Sequence, residues 1–261
     1  MLVHCENAFY LSPHMVDRFA EASMVLEVVA STGSTNTDLK NAIRAGEDFR
    51  LPRVRVAYEQ TAGRGTRGHQ WLQLRDAITF SLALPLPKES ETVTLQAGIA
   101  WVNAIRRSFA IPIGLKWPND LFIEGAKVGG ILSEVVQHPL QGTMLVVGIG
   151  TNLWVPADQS KASWPIRGIF STHEQARTAP WDSIFLSWIQ QLYQALLRPV
   201  RKISSVWHSY DVFLGKTVTV DTPQTEWIGI VQGINAQGQL LLKTPHGIVT
   251  ITTGSIKGVI S

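Results

Sequence analysis

The sequence predicts an α/β fold followed by a small β-barrel at its C-terminal end, and three observations lead there. Runs rich in β-branched residues alternate with helical segments before Leu214. One of those segments, Thr92 to Phe109, is apolar on nearly every side, as a buried helix is. Beyond Leu214 the texture changes to short strand-like runs at close spacing, separated by turn residues, which is the pattern of a small barrel.

In order, Met24 to Val29 reads as a strand and Thr37 to Ala45 as a helix, with Ser34 to Asn36 in the turn between them and Gly46 at the helix C-terminus. Arg53 to Tyr58 and Ile78 to Leu84 read as strands on either side of a Gly- and Arg-rich loop, Gln60 to Gln70. Leu115 to Trp117, Leu121 to Ile123, Lys127 to Val136 and Met144 to Ile149 read as further strands. A helix from about Asp182 carries Phe185, Trp188, Ile189, Leu192 and Leu196 at one-face spacing. A shorter helix is expected between Val200 and Tyr210. Thr217 to Val220, Ile228 to Val231, Gln239 to Lys243, Ile248 to Thr252 and Ile256 to Ile260 are the barrel strands. Ala236-Gln237-Gly238 and Pro245-His246-Gly247 are turns among them. The expected division is residues 1–213 and 214–261.

Composition narrows the function. With 45% hydrophobic and 16% charged residues the chain is globular rather than disordered. The net charge of +3 comes without a basic run and is too small to argue for nucleic acid. Cys5 is the only cysteine, so no intrachain disulfide is possible, and a thiolate metal site is disfavoured. The basic start of a secretion signal is missing, since Arg18 is the first basic residue, and no apolar run is long enough to span a bilayer. A cytoplasmic protein without membrane contact is expected.

Four stretches carry chemistry. Gln60-Thr61-Ala62-Gly63-Arg64-Gly65-Thr66-Arg67-Gly68 combines glycines that let backbone approach a ligand with arginines that bind phosphate or carboxylate oxygens; alone it could equally be a solvated basic loop. It is neither a Walker A loop nor a dinucleotide fingerprint. In Lys116-Trp117-Pro118-Asn119-Asp120 the lysine suits charge developing on a phosphate and the aspartate suits Mg²⁺, although an ordinary Pro-Asn-Asp turn reads the same. Lys127-Val128-Gly129-Gly130-Ile131-Leu132-Ser133-Glu134 and Val146-Val147-Gly148-Ile149-Gly150-Thr151-Asn152 leave room for a ligand at their glycines, or mark a kink and a bulge. No histidine has metal-ligand spacing, and Trp71 is a candidate pocket wall.

Taken together with Gly33-Ser34-Thr35-Asn36, these stretches in this order resemble the biotin–protein ligase family, from about Val28 to the C-terminus. The resemblance implies a mixed-sheet, class II synthetase-like catalytic domain of α/β (α+β) class with a C-terminal SH3-like barrel. It implies biotin and ATP with Mg²⁺ as substrates, biotinyl-5′-AMP as intermediate, and the biotin carboxyl carrier protein of acetyl-CoA carboxylase as acceptor. Biotin contacts would fall on Ser34, Thr35, Asn36, Gln60, Arg64, Gly65, Thr66 and Lys116, with Gly148 and Gly150 along the wall. The nucleotide side would use Arg64, Arg67, Lys116, Asp120, Lys127 and Asn152, with Asp120 toward Mg²⁺. Lys116 and Arg64 would be the catalytic cations.

Two departures from the family pattern stand out. Bacterial members often read Gly-Arg-Gly-Arg-Arg-Gly in the loop, whereas Thr66 takes the second arginine position here, and Arg67 follows as a possible substitute. About thirty residues precede the Ser-Thr-Asn turn, too few for the helix-turn-helix domain of repressor-type members, so a ligase without specific DNA binding is expected. Two rivals are weighed. A lipoate–protein ligase or octanoyltransferase calls for an Arg-Arg-x-x-Gly-Gly type loop that the sequence does not contain. A nucleic-acid module built on the barrel would have only Lys216, Lys243 and Lys257 as cations.

Overall fold

The structure is a computed structural model that describes residues 7–68, 70–71, 74–88, 90–156, 164–198 and 200–260, with residue 67 by its backbone alone. Its elements are α1 (Met15–Glu21), β1 (Val25–Thr32), α2 (Thr35–Arg44), β2 (Arg53–Gln60), β3 (Asp76–Pro85), α3 (Val93–Phe109), β4 (Gly114–Lys116), β5 (Asp120–Ile123), β6 (Ala126–His138), β7 (Gly142–Trp154), α4 (His173–Arg177), α5 (Trp181–Leu197), α6 (Ile203–Trp207), β8 (Thr217–Asp221), β9 (Glu226–Ile234), β10 (Leu240–Thr244), β11 (Gly247–Ile251) and β12 (Ser255–Val259).

The first seven strands form one mixed sheet in the order β1-β2-β3-β7-β6-β5-β4. Only β1 and β2 run parallel; the remaining neighbours are antiparallel. The crossover between the parallel strands is α2, as such a connection requires. Its C-terminus closes in a Schellman arrangement: Gly46 N–H reaches Ile43 O at 3.1 Å, Glu47 N–H reaches Ala42 O at 3.1 Å, and Gly46 adopts φ +80°.

Strand β3 is buried along nearly its whole length because helices cover both of its faces. On one face, Leu39 and Ile43 of α2 pack with Ala83, Val136, Met144 and Val146. On the other, Phe80 meets Trp101 of α3 and Phe185 of α5, with ring centroids 5.0 and 5.6 Å away. Trp188 completes that layer at 5.1 Å from Trp101 and donates to Ser108 Oγ at 2.9 Å. The apolar spacing of α5 thus buries Phe185, Trp188, Ile189, Leu192 and Leu196. Each such side chain contributes about 1.5–3 kcal/mol on leaving water.

The last five strands form a separate antiparallel sheet in the order β11-β10-β9-β8-β12, around Val218, Val220, Val231, Leu240, Leu242 and Ile256. Two connections fix it against the larger sheet. The segment after α6 pairs with β4, Leu115 N–H to Tyr210 O at 2.8 Å and Val212 N–H to Leu115 O at 3.0 Å. Trp117 Nε1 donates to Gly238 O, in the turn between β9 and β10, at 3.0 Å.

Some elements differ from the sequence expectation. Strand β7 runs past Gly150 to Trp154 because β6 pairs with it as far as Thr151 and β3 as far as Trp154. Helix α6 is confined to Ile203–Trp207, and α1 and α4 have no counterpart in the expectation. The segment before α1 fills the gap where the β2–β3 ladder ends at Val56 and Phe80. There Asn7 Nδ2 donates to Tyr58 O and Ala77 O at 3.2 and 3.3 Å, and Ala8 N–H donates to Asp76 at 2.8 Å.

Candidate active site

The sheet carries a cleft of about 650 Å³, within the size range of small-molecule sites. Ser34, Thr35, Asn36, Gln60, Arg64, Gly65, Thr66, Lys116, Asp120, Lys127, Gly148 and Gly150 all line it. Asn152 is buried and lies outside that lining; its Oδ1 has no hydrogen-bond partner. The Arg67 side chain lies outside the described residues.

One end is built by the start of α2. Ser34 is its N-cap by backbone but makes no side-chain capping bond. Thr35 N–H donates to Gln60 Oε1 at 2.8 Å, which ties the helix to the end of β2. Thr35 Oγ1 lies 2.7 Å from Ser81 Oγ, and Ser81 donates to Asn36 Oδ1 at 2.5 Å. Asn36 Nδ2 donates to Leu132 O at 3.3 Å and to Glu134 at 2.9 Å, and Glu134 is ion-paired with Lys40. Burial alone would raise the Glu134 carboxyl, but the hydrogen bonds from Lys40 and Asn36 and the charges of Lys40 and Arg64 outweigh it and hold the group below its ordinary value.

The wall is β7. Gly148 pairs with Leu132 and Gly150 with Gly130 in continuous register, so these glycines sit in regular strand and not in a bulge. They make room for neighbours: a Cβ at Gly148 would lie 2.2 Å from Asn36 Oδ1, and one at Gly150 would lie 2.5 Å from the Trp71 indole. Gly129 backs onto Gly150 O, where a Cβ would approach to 2.5 Å. The Gly/Arg loop folds back over this wall. Trp71 N–H donates to Gly63 O at 2.9 Å, Arg64 bridges Gln70, and Thr66–Gly68 makes one 3-10 turn. Trp71 lies with Lys127 Nζ 6.0 Å from its ring centroid, and its buried Nε1 has no partner.

The other end holds a buried charge cluster. Lys116 ends β4 and is 1% exposed. Its Nζ donates to Asp120 Oδ2 at 2.6 Å, and Lys127 Nζ reaches Asp120 Oδ1 at 2.5 Å. Burial lowers the Lys116 ammonium from its ordinary value despite Asp120. Burial would raise Asp120, but the two lysines outweigh it and leave the carboxyl below its ordinary value. Each Asp120 oxygen therefore already carries a lysine, and a divalent ion there would have to displace one. No group of three or more His, Cys, Asp or Glu side chains comes together among the described residues.

Ser81 and Lys40 lie in elements the sequence marks only as structural, and Glu134 closes the Lys127 stretch with no role assigned to it, yet the three together orient the helix end. Nor did it place Thr253, Gly254, Ser255 and Lys257 of the C-terminal sheet, which face the same cleft. Tertiary docking, through Trp117 and Gly238 and through the pairing of Leu115 with the Tyr210–Val212 segment, brings them there.

The cleft thus joins a hydrogen-bonding end, a glycine wall and a buried lysine cluster, a lining that can hold a polar ring at one end and an anion at the other. Comparison with known proteins narrows this. Residues 28–152 match the Biotin/lipoate A/B protein ligase family, and residues 213–257 match the Biotin protein ligase C terminal domain. The Bifunctional ligase/repressor BirA of Bacillus spizizenii is 30% identical over 88% of this chain and 72% of its own length. The Biotin--[acetyl-CoA-carboxylase] ligase of Mycobacterium tuberculosis is 29% identical over 88% of both chains. The biotin protein ligase of Aquifex aeolicus, solved in complex with biotin and ATP, superposes with a TM-score of 0.73 at 25% identity over 88% of this chain and 97% of its own. The chain belongs to the biotin protein ligase family.

Proposed function

We propose that this chain activates biotin with ATP to biotinyl-5′-AMP and passes the biotin to a lysine of a biotin carboxyl carrier protein, residues 1–213 forming the catalytic domain and 214–261 the barrel. The observation that carries the reading is the pairing, in one cleft, of a polar end built by Thr35, Asn36 and Gln60 with the buried cation Lys116. A ureido ring buried in the polar end needs its donors and acceptors met, and hydroxyl and amide groups supply them. The carboxylate then points along the glycine wall toward the lysines.

In the first step a biotin carboxylate oxygen bonds to the α-phosphorus, the bond from that phosphorus to the bridging oxygen breaks, and pyrophosphate leaves. Two anions must approach, so preorganised cations lower the barrier. Lys116 supplies one from a position where water screens it poorly, while Arg64, Lys127 and Lys257 face the same space. Magnesium bound with the triphosphate would add further positive charge held by the phosphates themselves, since both Asp120 oxygens are engaged by Lys116 and Lys127. In the second step the acceptor amine attacks the activated carbonyl carbon and AMP departs. The Gly/Arg loop shields the mixed anhydride from water. No helix of the described residues is long and apolar enough to cross a membrane, and the reading places the enzyme with its carrier in the cytoplasm.

Incubation with biotin, ATP, Mg²⁺ and a biotin carboxyl carrier domain tests this. The carrier should gain the mass of one biotinyl group on a single lysine, and a carrier with that lysine changed to arginine should gain none. An unmodified carrier in the presence of active adenylation would overturn the transfer step.

A further inference from the structure

Hydrogen-bond direction at the polar end of the cleft can be traced proton by proton. Glu134, held ionised by Lys40, only accepts, and so does Leu132 O; the group of Asn36 that faces them is therefore the amide nitrogen. That turns Asn36 Oδ1 toward Ser81, whose single proton is spent on it at 2.5 Å. Ser81 Oγ then has only lone pairs for Thr35 Oγ1, 2.7 Å away, so the Thr35 hydroxyl spends its proton on Ser81. The longer approach of Thr35 Oγ1 to Gln60 Oε1, at 3.1 Å, is left without that proton, and Gln60 Oε1 takes the Thr35 backbone N–H instead. What Thr35 offers the cleft is a bare lone pair.

We infer that Glu134, anchored by Lys40, is a positioning residue that fixes Thr35 Oγ1 as a hydrogen-bond acceptor and thereby selects a ligand with an N–H donor at that point. This rests on the biotin reading above, whose cyclic urea carries two such N–H groups. Without the carboxylate, Asn36 is free to turn over and Ser81 to donate to Thr35; Ser81 then uses up a Thr35 lone pair, and the Thr35 proton is left to Gln60 Oε1, at 3.1 Å, or to the cleft, so the acceptor facing a ligand N–H is weakened or lost. The carboxylate lies on β6, two residues past Leu132, and it acts only through Asn36 and Ser81. Held below its ordinary value by Lys40 and Asn36, the carboxyl stays ionised and accepts throughout the neutral range.

A double-mutant cycle between Glu134→Gln and Ser81→Ala tests the inference, read as biotin KM, ATP KM and kcat of biotin-dependent pyrophosphate release. Each single variant should raise biotin KM by about ten- to a hundredfold, as loss of a charge-assisted bond does, with kcat and ATP KM within about twofold. The double variant should be no worse than the worse single, because Ser81→Ala already cuts the path from Glu134 to Thr35. Multiplying effects, an unchanged biotin KM in Glu134→Gln, or equal damage to ATP KM and kcat would each overturn the inference. Should Glu134→Gln fail to fold, Lys40→Met decides in its place: a rise in biotin KM that disappears in the Ser81→Ala background supports the inference, and any other pattern contradicts it. Failure of the biotin reading is separate, since the unmodified enzyme would then release no pyrophosphate with biotin.

Discussion

Asn36 occupies the space over Gly148 that any side chain there would need. A Cβ at Gly148 would meet Asn36 Oδ1 at 2.2 Å and Cγ at 3.0 Å. Asn36 cannot step aside cheaply, because Ser81, Leu132 and Glu134 all hold it. Gly148→Ala should therefore raise biotin KM by at least tenfold and cost about 1–3 kcal/mol of stability, the usual price of overpacking. Steady-state kinetics with varied biotin check this, and an unchanged KM would show that the wall tolerates a methyl group.

Lys116→Ala should slow adenylation by about 10²–10³-fold, the usual effect of losing one preorganised charge-stabilising donor. Single-turnover quenched-flow measurement of biotinyl-AMP isolates this step from product release. Near-normal adenylation would remove Lys116 from the reacting centre.

Asp120→Asn strands two lysines that share one carboxylate, and breaking a buried ion pair in this way costs roughly 3–5 kcal/mol. The pH dependence has a definite sign. The Asp120 value in the folded protein lies below the ordinary 3.8, so its stabilisation is complete above 3.8 and fades as pH falls through the lower value. Denaturant titrations of the two proteins should differ most near neutrality and converge toward strong acid. A difference that is constant with pH would mean the carboxylate's charge is not what holds the lysines.

Thr66 lines the cleft where an arginine would reach a phosphate, and threonine is shorter and uncharged. Thr66→Arg should slow release of biotinyl-AMP by about ten- to a hundredfold, the worth of one charge-assisted hydrogen bond. A filter-retention time course with labelled adenylate reads this directly. An unchanged rate, with sharply faster release in Arg67→Ala, would show that Arg67 already fills the role.

Much of this architecture was legible in the sequence, and the exceptions share a physical reason. Gly46 marked the end of α2 because a left-handed residue is needed there, and α5 declared itself by the spacing from Phe185 to Leu196. The far end of β7 was hidden because Gly150-Thr151-Asn152 has the composition of a turn, and it is pairing with β3, joined by β6 as far as Thr151, that keeps it extended. Helix α1 buries just Met15 and Phe19, too few to show a period. In the site, residues from each motif line one cleft, whereas Asn152 lies outside its lining. Ser81 was invisible because it sits inside an apolar strand, and Lys40 and Glu134 because their partners are about a hundred residues apart in the chain, at a separation of 94.

Everything above depends on the cleft joining biotin to ATP. Mass spectrometry of reactions containing enzyme, ATP, Mg²⁺ and either biotin or lipoate, with pyrophosphate measured in parallel, tests it most directly. Biotinyl-AMP and an equal amount of pyrophosphate should form with biotin, and neither when biotin or ATP is left out. Lipoyl-AMP formed in preference, or ATP cleavage that ignores biotin, would contradict it.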